Sequence, residues 1–278
     1  MKRSSSQLFT HTQHNSAFSL IELLVVIAVV STLVGTLLPV LSRARGQGQT
    51  IQCASNIRQL ALANELYAQD HEDRYMPGAA GIQRDNLRRW HGLRAHINRT
   101  FEPNGAPISE YLDGDTLSNS LRACPTFQPQ LNHLELRGKG FERGCGGYGY
   151  NTAFVGSVRR EASPGVWIVQ RDDVGSKRAR FRGPARTVAF ADSAFADQEV
   201  IEYSFIEPAW WPQSPHWRPD PSVHFRHAGG ANIAWLDGHV SSEIMSHSES
   251  SGFYPLDPRS NNIGWFGNVD TNDLFDYR

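Results

Sequence analysis

Residues 18–41, FSLIELLVVIAVVSTLVGTLLPVL, form an unbroken apolar run of 24 positions with one charge, Glu22. Residues 1–17 before it are polar, with Lys2, Arg3, His11 and His14 and no acid, and the sequence after Gln49 is mixed and polar on average. At about 1.5 Å per residue, a helix over the run reaches about 36 Å, enough to cross roughly 30 Å of hydrocarbon. Lys2 and Arg3 then favour an N-terminus held inside and a chain that continues outside. The pattern predicts four parts: a basic leader (1–17), a transmembrane helix (18–41), an amphipathic continuation of that helix (42–70), and an extracytoplasmic globular domain (71–278).

The continuation is read from spacing. Cys53, Ile57, Leu60, Asn64 and Tyr67 recur at helical intervals and mark one face, which Ala54 and Ala61 widen. That face predicts a helix to about Asp70 whose outer half lies on a sheet. Two helices broken at Gly46 and Gly48 are the alternative. Breakers follow at Met76-Pro77-Gly78, and residues 78–145 have little periodicity, which suggests loops and short helices. Strand-length runs rich in β-branched and aromatic residues occupy 166–170, 187–191, 201–205, 223–227, 232–236 and 239–244. The segment 228–231 (AGGA) and Asp237-Gly238 read as hairpin turns, the second as type I′, so the last three runs predict a meander. A helix followed by antiparallel strands gives an α+β class with an irregular, loop-rich C-terminal domain.

Composition narrows function. A formal net charge of −1 gives no electrostatic footprint for nucleic acid. Cys53, Cys124 and Cys145 form neither a CxxC pair nor a Cys/His cluster at zinc spacing, and no nucleophile-elbow, Walker or HExxH motif occurs, so no catalytic residue is assigned. Outside the cytoplasm two of the three cysteines could pair.

The leader junction is unusual. An ordinary secretory signal places its small-residue cleavage site after the apolar region, whereas here Ala17-Phe18 precedes it. An uncleaved signal anchor shares the composition, but not Glu22. A carboxylate in an apolar helix costs roughly 2.5–3.5 kcal/mol on insertion and calls for a partner. Cleavage after Ala17 would give Phe18 a new α-amino group, which Glu22 of a neighbouring helix can neutralise.

The segment from Phe18 through Ile27-Ala28 (FSLIELLVVIA) resembles the type IV pilins and type II secretion pseudopilins. The resemblance implies cleavage before Phe18 by a prepilin peptidase, methylation of the new amine, and assembly with like subunits through Glu22. Pro39 stands where pilin helices often carry a proline, while Ala17 replaces the usual glycine. Further on, His227, nine residues, then Asp237-Gly238 is similar to the His–x9–Asp–Gly signature of a large group of bacterial prepilin-like proteins. Cys53-Ala-Ser-Asn-Ile-Arg-Gln-Leu, Cys124-Pro125, Gly147-Tyr-Gly-Tyr-Asn151 and Phe190-Ala-Asp192 share that likeness, which bears on architecture and location more than on activity.

The implied function is a non-enzymatic, membrane-anchored pilin-like or pseudopilin subunit of a type IV pilus or type II secretion-like structure. The alternative is a tethered domain that binds glycan or protein, or hydrolyses a substrate, with His227, His239 and a tryptophan loop at its site. Within a meander, His227 and Asp237 stand at opposite ends of a strand, roughly 16 Å or more apart, too far to share a proton or metal. That makes Asp237-Gly238 a turn and His227 a loop-fixing hydrogen-bond partner. Calcium binding by Asp257, Asp270, Asp273 and Asp276, as in the C-terminal loop of secretion pseudopilins, is the one cofactor considered, without an EF-hand spacing to support it. Residues 207–219 hold three Trp and four Pro, a stiff loop that either plugs the core or offers a surface contact. A Cys53–Cys124 disulfide, with Cys124–Cys145 as runner-up, is expected to staple helix to loop.

Overall fold

The computed structural model describes residues 20–112, 123–136 and 142–277. The chain divides into two compact units, Met1–Arg45 and Gly46–Arg278. Helix α1, Leu20–Asp70, is continuous over 51 residues, and Gly46 and Gly48 do not break it.

In the first unit the described residues are helical, and their side chains, almost all apolar, are exposed. This stretch is long and apolar enough to cross a membrane. Two of its hydroxyls are satisfied within the helix: Thr32 Oγ1 donates to Ala28 O at 2.9 Å and Thr36 Oγ1 to Leu33 O at 2.9 Å. Internal pairing of this kind is what a hydrocarbon environment demands. Pro39 lies within the helix, where its ring would crowd the residue four positions back; that residue is Gly35.

In the second unit, α1 buries Cys53, Asn56, Ile57, Leu60, Ala61, Ala63, Asn64 and Ala68, the face expected from spacing. In chain order the remaining elements are β1 (Arg88–Arg89), β2 (Gly92–Leu93), α2 (Gln128–Leu136), β3 (Tyr148–Tyr150), β4 (Val158–Ser163), β5 (Val166–Arg171), β6 (Val188–Asp192), β7 (Phe195–Ala196), β8 (Val200–Ile201), β9 (Val223–His224), β10 (Gly230–Trp235), β11 (Val240–Ile244) and β12 (Ile263–Gly264). The central antiparallel sheet has the order β11-β10-β6-β3. β6 and β10 are buried along their whole length, with no polar alternation, because both lie inside the sheet.

Two tyrosines of β3 meet two asparagines of the helix. Asn56 Nδ2 donates to Tyr148 Oη at 3.3 Å, and Tyr150 Oη donates to Asn64 Oδ1 at 3.3 Å. Asn64 Oδ1 also accepts the Met76 backbone N–H at 3.1 Å, which fixes the exit from the helix. Between the tyrosines, Gly149 permits a close crossing: a Cβ there would lie 2.5 Å from the Phe205 carbonyl oxygen.

Three expectations change. The run 201–205 is a strand only over Val200–Ile201, and β9 pairs with β12 rather than with β10. The expected three-strand meander is therefore one hairpin, β10–β11, plus a tight turn in which His227 and Gly230 exchange backbone hydrogen bonds at 2.9 and 3.0 Å. Ala228 (φ 53°) and Gly229 (φ 90°) supply the two left-handed positions of that turn. Nor is the Asp237-Gly238 turn type I′: only Gly238 has a positive φ, 87°. Gly238 N–H bonds Trp235 O at 2.9 Å and Trp235 N–H bonds His239 O at 3.0 Å. This is the three-residue hairpin loop that ends in a left-handed glycine.

A Cβ on Gly238 meets only Leu62 at 3.8 Å, so a substitution there is penalised by backbone conformation, not by crowding. Gly238→Val is expected to cost about 1–3 kcal/mol. Asp237→Asn, on an exposed turn, should stay within about 0.5 kcal/mol. Thermal unfolding of the full chain in detergent checks both, and equal losses would refute the turn explanation.

Candidate functional site

The buried polar centre of the second unit is assembled from four separate segments. α1 contributes Cys53, the segment leading into α2 contributes Cys124, the end of β6 contributes Asp192, and the turn before β10 contributes His227. All four residues are buried, and one ligating atom from each lies within 4.8 Å of the others. Cys53 Sγ donates to Asp192 Oδ1 at 3.0 Å. His227 Nε2 lies 3.2 Å from Asp192 Oδ2 and 3.5 Å from Cys124 Sγ. No other set of three or more His, Cys, Asp or Glu side chains converges in this way among the described residues.

A second ring of contacts orients these groups. Tyr148 Oη donates to Cys53 Sγ at 3.3 Å, and the Asn232 backbone N–H donates to Asp192 Oδ2 at 2.7 Å. The other imidazole nitrogen, His227 Nδ1, lies 3.3 Å from Thr50 Oγ1 and 3.4 Å from Thr126 Oγ1. Arg226 reaches over the Phe127 ring, its guanidinium carbon 4.4 Å from the centroid, and places Nη2 3.7 Å from Asp192 Oδ1. The same Nη2 donates to Gly147 O at 2.5 Å and to Ser193 O at 3.0 Å.

Electrostatics follows from this packing. Burial opposes ionisation of Asp192, but Arg226 and His227 outweigh it and hold the carboxyl below its usual range. Burial likewise opposes charge on His227, yet its hydrogen bonds to Asp192 and Cys124 raise it to about 9. Burial pushes the Cys53 thiol up, whereas the neighbouring Cys53, with Arg226 and His227, brings Cys124 down to about 5.

Cys53 and Cys124, the pair expected from sequence, come together in this cluster and stand as free cysteines, each engaged with a polar neighbour; the runner-up partner, Cys145, is also free and lies 3.7 Å from Glu202 Oε1. His227 has a carboxylate partner, but it is Asp192, not Asp237, which pairs with His239 at 2.6 Å on the exposed hairpin. His227 ties the α1 and Cys124 segments to the sheet, a wider role than fixing one loop. His224 is half-buried, edge-on to Phe127 with its ring centroid 5.5 Å away, and the desolvation of its ring pushes its pKa well below the usual range. Asp192 is the site residue that sequence reasoning did not single out. Its signal was present in Phe190-Ala-Asp192, an acid closing an otherwise apolar strand.

The tryptophan loop divides its residues. Trp210 exchanges two hydrogen bonds with Asn272 at 2.9 and 2.8 Å and lies under Arg218 at 4.1 Å, so it anchors the C-terminal segment. Trp217 remains half exposed, packed edge-on against Trp211. Nearby, burial raises Glu207 to about 7, and Tyr203 Oη donates to it at 2.8 Å. Asp257, Asp270, Asp273 and Asp276 are not drawn together into a cluster, and Asp276 is buried.

At the other end, Ala17 and Phe18 lie outside the described residues. Glu22 stands in the first turn of α1 as described, the one acid in an apolar, exposed stretch. The chain is thus a membrane-anchored protein with an N-terminal helix and an α+β domain. Residues 12–38 match the family model for the prokaryotic N-terminal methylation motif, the prepilin-type signature. That motif implies processing by a prepilin peptidase. No curated protein and no solved structure matches the chain.

Proposed function

We propose that this protein is a pilin-like or pseudopilin subunit. A prepilin peptidase cuts it between Ala17 and Phe18, α1 holds it in the cytoplasmic membrane, and it assembles with like subunits while its 46–278 unit works on the extracytoplasmic side. The observation that carries this reading is the methylation motif over residues 12–38, with Glu22 four positions after Phe18 on an uninterrupted helix. The role is structural: all four residues of the polar centre are buried, and the hairpin carrying Asp237 and Gly238 is accounted for as a turn. A mere tether gains nothing from a carboxylate in its apolar segment, whereas an assembling helix uses it against a neighbour's amine.

The mature N-terminus is the direct test. Mass spectrometry of protein extracted from membranes that contain active prepilin peptidase should find Phe18 first and N-methylated. Intact residues 1–17 under those conditions would sink the proposal.

A further inference from the structure

We propose that Cys53, Cys124, Asp192 and His227 form a closed zinc site that fastens α1 to the sheet. This is a metal site independent of the assembly reading.

Geometry is the first argument. Zinc holds sulfur at about 2.3 Å and nitrogen or oxygen at about 2.0–2.2 Å, so ligands around a tetrahedral ion stand roughly 3.3–3.8 Å apart. The contacts here, 3.0 Å from Cys53 to Asp192 Oδ1, 3.2 Å from His227 to Asp192 Oδ2 and 3.5 Å from Cys124 to His227, are close to those edges, with the two aspartate contacts made by different oxygens of one carboxylate. All four atoms lie within 4.8 Å of one another, so one ion can touch each of them with small side-chain shifts.

The donor set is the second argument. Two sulfurs, one imidazole and one carboxylate suit zinc, and thiolates disfavour the hard cations calcium and magnesium. Four protein ligands leave no open position, which is the pattern of a structural rather than a catalytic site.

The surroundings are the third. A metal-bound imidazole is normally fixed by a hydrogen bond from its other nitrogen. His227 turns Nε2 toward the cluster and Nδ1 toward Thr50 and Thr126, whose hydroxyls can accept that proton. Two thiolates and a carboxylate exceed the charge of a dication by one, and the buried Arg226 guanidinium beside Asp192 supplies the missing positive charge. Among the described residues Arg226 Nε and Nη1 have no hydrogen-bond partner, so the guanidinium is held in place without being neutralised by hydrogen-bonded anions there. A hydrogen-bonded network alone gives no reason for two cysteines, since thiols are weak donors and acceptors.

The ligands come from four distant segments, so binding should contribute to holding the unit together as it does in other structural zinc sites. Full-length protein, purified reduced in detergent, is titrated with Zn²⁺ and, separately, with Co²⁺. The expected result is one ion per chain, a cobalt spectrum with thiolate charge-transfer and tetrahedral ligand-field bands, and a lower unfolding temperature after chelation. Cys124→Ser and His227→Gln should lose binding, while Cys145→Ser, whose thiol faces Glu202 instead, should keep it. Because ligand variants can misfold, Thr50→Val/Thr126→Val provides the gentler case: it should fold and bind zinc about 10–100-fold more weakly. A Cys53–Cys124 disulfide in protein taken directly from membranes overturns the proposal. So does a reduced, folded chain that binds neither ion, or one in which Cys145→Ser loses zinc as completely as Cys124→Ser.

Discussion

Asp192→Ala is expected to destabilise the 46–278 unit by about 3–5 kcal/mol, the range for removing one partner of a buried ion pair. Asp192 is fully buried and accepts from the Asn232 backbone N–H, from Cys53 and from His227, with Arg226 alongside. Truncation orphans a backbone donor inside the sheet and leaves a buried guanidinium without its counter-charge, and both are costly. For a unit of this size the loss should lower the unfolding temperature on the order of 10 °C. Asp192→Asn keeps an acceptor for Asn232 and should fall between wild type and alanine. Arg226→Met added to Asp192→Ala should recover part of the loss, because the second change removes the stranded charge. Thermal unfolding of these four proteins and of the Arg226→Met single variant in one detergent measures the coupling. Strict additivity would show that the two side chains do not act as a pair.

The second large effect is on assembly. Glu22→Leu should leave membrane insertion intact or improve it, since it removes a carboxylate that costs roughly 2.5–3.5 kcal/mol in an apolar helix. Incorporation into crosslinked oligomers should nevertheless collapse, because the partner for a neighbour's N-terminal amine is gone. Glu22→Gln separates charge from size: it retains hydrogen bonding, loses the ion pair, and should behave nearly as badly. The readout is the crosslinked fraction at matched membrane levels. Oligomers at the wild-type level in both variants would remove Glu22 from the assembly mechanism.

The helix was legible because two periodic signals run end to end, an apolar block and then a stripe at Cys53, Ile57, Leu60 and Asn64. The β10–β11 hairpin was legible because Asp237-Gly238 punctuates two strand-like runs. The exact turn type was not, since Asp-Gly also suits a loop in which only the glycine is left-handed. The run 223–227 misled for a different reason. Its residues are apolar and aromatic enough for a strand, but Arg226 and His227 leave the ladder to reach Asp192, a competition that local pattern does not register. The cysteine site escaped for the same reason on a larger scale. Zinc motifs are recognised when ligands sit close in sequence, and here each ligand comes from a different segment. What was visible was the pairing of Cys53 with Cys124, which the structure brings together with Asp192 and His227 as well.

That dispersal has a consequence for how the chain reaches its final form. Cys53 and Asp192 are 139 positions apart, and Thr50 and His227 are 177 apart. Contacts of such separation form late and slowly, because loop-closure entropy must be overcome before they stabilise anything. During synthesis the helix emerges first, while Tyr148, Tyr150, Asp192 and His227, which bond to its buried face, are made later. Docking of the helix is therefore a checkpoint on chain completeness. A product ending before residue 227 lacks His227 and β10, so the end of the helix face around Thr50 and Cys53 is left incompletely covered, and quality-control proteases would find it open.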